Sequence, residues 1–251
     1  MKLDRKKTIK LSISFFTILA VCIIMIITLT KLLKKPAEYT ESISESMSEA
    51  MPTMDRLVDF NEWQEKNEDV YAWINIPDSN INFPILQSPD TNRFYLNHDI
   101  NRESAVHGAI FTEKRNTKTF NDYNTLIYGH NMFNGTMFTP LRKYEKQEFF
   151  DSHRDVYILT PEKAYKYRVF AAYITDDRHV LSANDFSTVE GYQAYIDKLS
   201  VLDDGVFDKS IKLTTDDRII TLSTCVTPAG GNVRYLVQAV LDTVYAYNTD
   251  N

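Results

Sequence analysis

Two residues near the C-terminus carry side chains that can do covalent chemistry together. Cys225 ends the run "DRIITLSTC", and Arg234 follows nine positions later in the run "VRYLVQ". Both runs are rich in β-branched and aromatic residues, which favours strands, while the intervening "VTPAGGN" favours a turn. If the two strands pair, the thiol and the guanidinium approach one cleft.

A cysteine thiolate can attack a carbonyl carbon and form an enzyme-bound thioester. The reaction needs a proton carrier, usually a histidine, and a donor for the oxyanion. Arg234 suits the second task because a guanidinium keeps its charge and offers a fixed fork of donors. Of the five histidines, His130 suits the first, because it ends the strand-like run "NTLIYGH". A single histidine is more often structural, so His130 is a hypothesis at this point.

Other site chemistries have little support. The sequence contains no C-x-x-C or H-E-x-x-H zinc motif, no G-x-S-x-G, no G-x-G-x-x-G and no P-loop. A net charge of −6 argues against a nucleic-acid binder, which would show a basic stripe. We therefore expect no metal, no cofactor and no nucleic-acid partner.

The N-terminus predicts how the chain is placed in the cell. Residues 11–30 are uncharged and mostly apolar, long enough to span a bilayer, and the heavier positive flank precedes them. We expect a cytoplasmic basic tail at 1–10, a single-pass cell-membrane anchor at 11–30, an extracellular stalk at 31–52 and one extracellular catalytic domain at 53–251. The alternative is a cleaved signal peptide, which would leave the domain secreted.

The expected location outside the cell bears on whether Cys225 is a structural or a reactive cysteine. Cysteines outside the cell usually pair. The second cysteine, Cys22, lies within the predicted anchor and cannot easily meet Cys225. Cys225 is therefore either a buried, inert thiol or one that is kept free for chemistry.

Residues beyond the stalk predict a mainly β domain. Aromatic residues make up 12% of the chain, and strand-like runs recur between residues 70 and 247. Helical spacing is found at 53–70, with Thr53 or Asp55 as cap, at 136–150, and at 187–199, with Ser187 as cap. Many strands with few helices predict a closed or nearly closed β-barrel.

These residues together resemble the sortase transpeptidases. "TLSTC" matches their T-L-x-T-C motif, "LIYGHN" supplies the partner histidine, and Arg234 follows on the next strand. The runs "VYAWINIPDSNINFPILQ", "FYLNHDI" and "GAIFTEKRN" are similar to the front half of class B sortases, and the resemblance covers about residues 55–246. It implies a sortase-like closed barrel of about eight strands, with N-terminal helices and a helix in the connection at about 176–215.

The resemblance also implies a role for each motif residue. Cys225 would be the nucleophile, His130 the general acid and base, and Arg234 the residue that positions the peptide and stabilises the oxyanion. Substrate-binding residues are expected next to the cysteine, at Ser223, Thr224 and Val226, the last through backbone N–H groups near it. Class B members often carry an acidic residue directly after the cysteine, so Val226 is a departure that puts the electrostatics of the oxyanion hole in question.

The implied activity is that of a membrane-anchored enzyme of Gram-positive bacteria. It would cleave a C-terminal sorting motif of exported proteins through a cysteine thioester and transfer the acyl group to a peptidoglycan amine. One alternative is an extracellular cysteine peptidase of papain-like design, which usually carries its cysteine on a helix. Another is a non-catalytic β-barrel binding module in which Cys225 is only buried.

Overall fold

The computed structural model describes residues 57–248. The strands are β1 (Val70–Ile76), β2 (Ile81–Leu86), β3 (Ile110–Thr112), β4 (Asn124–Tyr128), β5 (Asp155–Leu159), β6 (Lys163–Asp176), β7 (Gly205–Phe207), β8 (Ile219–Cys225) and β9 (Val233–Ala246). The α-helices are α1 (Phe60–Lys66), α2 (Gln147–Ser152), α3 (Val180–Ala183) and α4 (Val189–Ser200), and 3-10 helices span Phe94–Leu96 and Thr139–Glu145.

All nine strands form one sheet in the order β5–β1–β2–β3–β4–β8–β9–β6–β7. β5 also pairs with β6, so eight of the strands close into a barrel and β7 is added on the free side of β6. This confirms the predicted mainly β fold with a closed barrel of about eight strands.

The barrel interior is filled by apolar side chains from alternate strand positions. One buried cluster draws on every one of the eight barrel strands, with Ile74, Ile127, Ile220 and Val237 among its members. A second cluster on the outside joins α1 to the 3-10 helix at Phe94–Leu96, and a third lies beneath α4. The two-residue period of a strand therefore assigns each side chain on β4, β8 and β9 to the interior or to the outer face.

The N-terminal helix is shorter than the predicted span of 53–70. α1 begins after Asp59, whose Oδ1 accepts the backbone N–H groups of Asn61 and Glu62 at 3.0 and 3.3 Å. The predicted caps, Thr53 and Asp55, lie outside the described residues.

The helix predicted over 136–150 is instead two short pieces, the 3-10 helix Thr139–Glu145 and α2. Gly135 and Met137 adopt positive φ angles of 79° and 58°, so the chain turns where the predicted helix would begin. Extended Lys146, with a ψ of 124°, separates the two pieces.

The helix predicted at 187–199 is present as α4, in the connection between β6 and β7. Its cap is Thr188, whose hydroxyl accepts the Gly191 N–H at 3.1 Å, and not Ser187, whose hydroxyl donates to Asp185 at 2.6 Å. The face predicted to be apolar is buried at Tyr192, Tyr195, Ile196 and Leu199, whereas Val189 is exposed.

No helix within residues 57–248 is long and apolar enough to cross a membrane. The predicted basic tail, anchor and stalk, at 1–52, lie outside the described residues.

Candidate active site

Cys225 and Arg234 are direct partners in the antiparallel ladder of β8 and β9. The turn between the strands uses Gly230 and Gly231, whose φ angles of 83° and 131° lie where side chains are disfavoured. The Thr227 hydroxyl donates to the Gly230 carbonyl at 2.7 Å and closes the turn. The predicted pairing of the two runs is therefore confirmed.

The strand period places this pair on the outer face of the barrel. Ile220 and Leu222 of β8 and Tyr235 of β9 belong to the interior cluster. Cys225 and Arg234 have the opposite parity, so their side chains leave the barrel wall on its outer side. Cys225 is a free thiol of intermediate exposure, so it is not the fully buried thiol that was one of the two alternatives from the sequence.

His130 lies two residues past the end of β4. β4 runs parallel to β8, with Tyr128 opposite Ser223, and the Gly129 N–H continues the ladder by donating to the Ser223 carbonyl at 3.1 Å. The Phe138 N–H donates to the His130 carbonyl at 2.9 Å. The histidine backbone is thus fixed beside the end of β8 where Cys225 lies.

The imidazole of His130 contacts a backbone carbonyl on the outside of the barrel. Its Nε2 lies 2.6 Å from the Leu96 oxygen, at the end of the 3-10 helix Phe94–Leu96. A carbonyl only accepts hydrogen bonds, so Nε2 carries the proton and donates. In the neutral ring Nδ1 is then the nitrogen with a lone pair, and it is the atom left for proton transfer.

A buried network holds the segment that supplies this carbonyl. The Tyr95 hydroxyl donates to the buried carboxylate of Asp69 at 2.5 Å, and Arg102 forms an ion pair with the same carboxylate. Asn67 donates to the Tyr95 hydroxyl at 2.7 Å and to the Ile100 carbonyl at 2.9 Å. Burial, together with the hydrogen bond to Asp69, raises the pKa of Tyr95, which keeps its hydroxyl protonated.

Gly129 is required by close packing. A Cβ at this position would lie 2.5 Å from the Ile110 side chain and 2.6 Å from the Phe138 ring, well inside van der Waals contact. Its lack of a side chain therefore allows the chain that bears His130 to pass against the barrel core.

Arg234 is anchored to the turn that precedes it. Its Nη1 donates to the carbonyls of Gly231 at 2.6 Å and Val233 at 3.1 Å. Within residues 57–248, Nε and Nη2 have no hydrogen-bond partner, so these donors are the ones that a ligand can use.

The three expected substrate-binding residues have different environments. Ser223 shares the outer parity of Cys225 but is only 5% exposed, and Thr224 has the inner parity and is 3% exposed. Val226 packs against the interior cluster. Their substrate-binding role stays a prediction, and for Thr224 a direct contact would need the backbone.

A polar cluster next to the site was not foreseen from the sequence. His179 occupies the position directly before α3, and its Nε2 lies 2.9 Å from both the Glu113 carboxylate and the Tyr128 hydroxyl. Burial, with the negative charge of Glu113, raises the pKa of Tyr128. Arg115 donates to the Ser182 hydroxyl of α3 at 2.8 Å. These contacts fasten the β6–β7 connection to β3 and β4 near His130, but no spacing in the sequence links their positions.

Comparison with known proteins gives one consistent result. A family model of the sortase domain matches residues 74–242. Sortase B of Listeria monocytogenes is 40% identical over 162 residues, which cover 64% of this chain and 65% of the relative. Sortase B of Staphylococcus aureus is 34% identical over 166 residues, which cover 66% and 67%. The chain thus matches about two thirds of the length of these curated relatives.

Solved structures agree with these sequence matches. The Staphylococcus aureus sortase B–substrate complex superposes with a TM-score of 0.68 at 30% identity, covering 81% of this chain and 92% of that one. Sortase B from Listeria monocytogenes superposes with a TM-score of 0.62 at 35% identity, covering 73% and 100%. The chain therefore belongs to the sortase family, class B, a family of cysteine transpeptidases.

Proposed function

We propose that this chain is a membrane-anchored sortase that cleaves a C-terminal sorting motif of exported proteins and joins the acyl fragment to a peptidoglycan amine. The observation that supports the proposal is that the Cys225–Arg234 pair and the segment bearing His130 lie at the same end of the β4–β8–β9 sheet. Cys225 and Arg234 are register partners, and the segment of His130 is bonded to β8 through Ser223.

The first half-reaction forms the thioester. The Cys225 sulfur attacks the carbonyl carbon at the cleavage point, a C–S bond forms, and the carbonyl oxygen becomes an oxyanion. The Arg234 guanidinium and a backbone N–H at Val226 would stabilise that charge. When the intermediate collapses, the C–N bond breaks and His130 donates a proton to the leaving amine.

The second half-reaction returns the enzyme to its starting state. A peptidoglycan amine attacks the thioester carbonyl, His130 removes a proton from this amine, and the C–S bond breaks to release the Cys225 sulfur. The donation of Nε2 to Leu96 supports Nδ1 as the atom that moves both protons. Catalysis in this form requires Cys225 as thiolate and His130 as imidazolium at the start of the cycle.

The sequence of the N-terminus supports the proposed location. Residues 11–30 are apolar and flanked by positive charge that is heavier on the N-terminal side. A single-pass anchor with its N-terminus in the cytoplasm would hold the catalytic domain outside the cell, where exported substrates and the peptidoglycan precursor are found.

The β6–β7 connection is the proposed wall of the substrate groove. It comprises α3, α4 and the residues between them, and the Glu113–Tyr128–His179 cluster fastens its beginning next to β4. An extended peptide lying across Cys225 on the outer face would meet this wall on the side of Tyr128.

A transfer assay tests the proposal. The chain in detergent is incubated with a library of sorting peptides and candidate amines, and products are identified by mass spectrometry, with Cys225→Ala as the matched control. We expect a cleaved peptide joined to an amine, and no product with the control. Cleavage without transfer to any amine would favour the peptidase alternative, and product formation by Cys225→Ala would exclude the thioester mechanism.

A further inference from the structure

Asn131, the residue directly after His130, connects the histidine segment to the cysteine strand. Its side chain is 5% exposed, and its Nδ2 donates to the carbonyl of Cys225 at 2.9 Å and to that of Val226 at 3.2 Å. Because both partners only accept, the amide nitrogen and not the oxygen must face them. The positions are 94 and 95 residues apart in the chain.

These two hydrogen bonds take the place of backbone hydrogen bonds that β4 no longer supplies to β8. The Gly129 N–H satisfies the Ser223 carbonyl, but β4 ends at Tyr128 and the backbone turns away. The next carbonyl on the same side of β8 is that of Cys225, two residues on, and an unpaired buried carbonyl would be costly. The side chain of Asn131 supplies the donor that a longer β4 would have supplied.

The bond to Cys225 fixes the direction of the following N–H. In a planar trans peptide the C=O of one residue and the N–H of the next point in opposite directions. Asn131 holds the Cys225 oxygen on the β4 side, so the Val226 N–H is directed to the β9 side. Arg234, the register partner of Cys225, lies on that side.

The same bond also shows which class of antiparallel pair Cys225 and Arg234 form. Since the Cys225 carbonyl is turned to Asn131, this is a non-hydrogen-bonded pair of the antiparallel ladder. Side chains are closest in such pairs, with Cβ atoms about 4.5–5.5 Å apart. The side chains of Cys225 and Arg234 therefore start close together on the outer face of the barrel, next to the strand edge at which the Val226 N–H points to β9.

The backbone around Asn131 is fixed by hydrogen bonds, but one atom of the Asn131 side chain is left in an unfavourable environment. Its backbone pairs with Met137, and the next N–H, of Met132, donates to the Thr139 hydroxyl at 2.6 Å. Its Oδ1 is buried without a hydrogen-bond partner among residues 57–248. Burying an unpaired amide oxygen is unfavourable for folding, and this cost is accounted for if the two Nδ2 hydrogen bonds serve the site.

We propose that Asn131 is a positioning residue for acyl transfer, and that its amide aims the Val226 N–H at the oxyanion. Asn131 touches no substrate and acts through the Cys225–Val226 peptide. The inference rests on the proposed sortase function and adds to it the residue that builds the oxyanion hole.

The test compares Asn131→Ala and Asn131→Asp in the full chain. The first removes both donors, and the second keeps the shape but sets a carboxylate against two carbonyl oxygens. Removing one oxyanion donor typically lowers kcat by about 10²–10³-fold, so we expect a loss of that size, with KM changed by less than about threefold. Asn134→Ala is the matched control, because Asn134 bonds Thr136 within the same loop.

A second readout separates positioning from general damage. Alkylation of Cys225 by iodoacetamide displaces iodide at a CH₂ group and forms no oxyanion. We expect its rate in both variants to stay within about threefold of the unmodified chain, while peptide turnover falls. Turnover within about threefold of the unmodified chain, or alkylation that falls in parallel with turnover, would overturn the proposal. If circular dichroism shows that Asn131→Ala is unfolded, the turnover and alkylation of the isosteric Asn131→Asp decide whether Asn131 has the positioning role.

This design also separates the inference from the proposed function. If the unmodified chain transfers no peptide to any amine, the proposed function fails. If it transfers peptide and the Asn131 variants do so equally well, only the role of Asn131 fails.

Discussion

Cys225 and Arg234 face each other across the β8–β9 ladder, although Arg234 comes nine positions later in the chain. Their juxtaposition follows from the turn at 226–232 and from the two-residue period of the strands, which directs both side chains to the outside of the barrel. The arginine is therefore placed beside the thiol by the backbone, while its Nη1 bonds to Gly231 and Val233 hold the side chain against the turn.

Replacing Arg234 should impair catalysis without unfolding the barrel. Arg234→Ala removes the proposed charged oxyanion donor, and we expect kcat/KM to fall by about 10²–10³-fold. Arg234→Lys keeps the charge but loses the planar fork and should recover only part of the activity. Arg168→Ala, at an exposed position on β6, is the control. Steady-state peptide transfer measures the effect, and unchanged turnover in Arg234→Ala would remove this residue from the mechanism.

Adding one methyl group next to His130 should be harmful. The Cβ of Gly129→Ala would overlap the Ile110 side chain and the Phe138 ring, so we expect a loss of about 1–3 kcal/mol in the free energy of unfolding and a displaced His130. Denaturant unfolding and peptide turnover measure the two effects.

The control for this change is Gly135→Ala, in the loop that follows. A Cβ there meets nothing within 4 Å, although the φ of 79° makes the substitution strained. We expect a modest loss of stability with nearly normal turnover. Equal turnover of the two variants would contradict the close-packing explanation for Gly129.

Loosening the β6–β7 connection should weaken substrate binding more than it slows the chemical step. Tyr128→Phe removes the hydroxyl that contacts His179 and keeps the ring that stacks on Phe111. We expect KM for the peptide to rise severalfold while kcat changes less, because the groove wall would be less well fixed. Tyr144→Phe, which loses a buried hydroxyl bonded to the His153 carbonyl, is the matched control. A fall in kcat alone would argue against a role in the wall.

An ion pair away from the site should contribute to stability in a pH-dependent way. Hydrogen bonds from Ser210 and Arg154 lower the pKa of Asp208 to about 2. Since this folded-state pKa lies below the usual value of about 3.9, the stabilisation is complete above about pH 4 and is lost as the pH falls through about 2.

We expect Asp208→Asn to lower the free energy of unfolding by about 1–2 kcal/mol at pH 7, after allowance for partial solvent screening. Urea unfolding at pH 7 and at pH 2.5 measures this. The difference between the variant and the unmodified chain should shrink at the lower pH, and a constant difference would contradict the assigned ionisation.

Much of the fold could be read from residue patterns. Alternating β-branched and aromatic runs located every barrel strand, and the turn signal in "VTPAGGN" predicted the hairpin that joins Cys225 to Arg234. β7, at Gly205–Phe207, was missed because its three partly exposed residues lie between aspartates and not within a longer apolar run, as the equally short β3 does. The cap of α4 was misplaced by one residue because Ser187 and Thr188 can both cap, and only the contact with Asp185 decides between them.

The supporting shell of the site could not be predicted in this way. Asn131 acts on residues 94 and 95 positions later, and the Leu96 carbonyl lies 34 positions before His130. No local period records such distances, because they arise from the parallel pairing of β4 with β8 and from the packing of a 3-10 helix on the outer wall. The motif residues indicate the reaction type from the sequence, whereas the residues that orient them can be identified only from the folded structure.

The central claim is that Cys225 carries the acyl group during transfer. The direct measurement is intact-protein and peptide mass spectrometry of the chain mixed briefly with a cleavable sorting peptide and no amine. We expect an added mass equal to the acyl fragment, located on Cys225, which a subsequently added peptidoglycan amine discharges. Cleavage of the peptide without any adduct on Cys225, or an adduct that also forms in Cys225→Ala, would contradict the account.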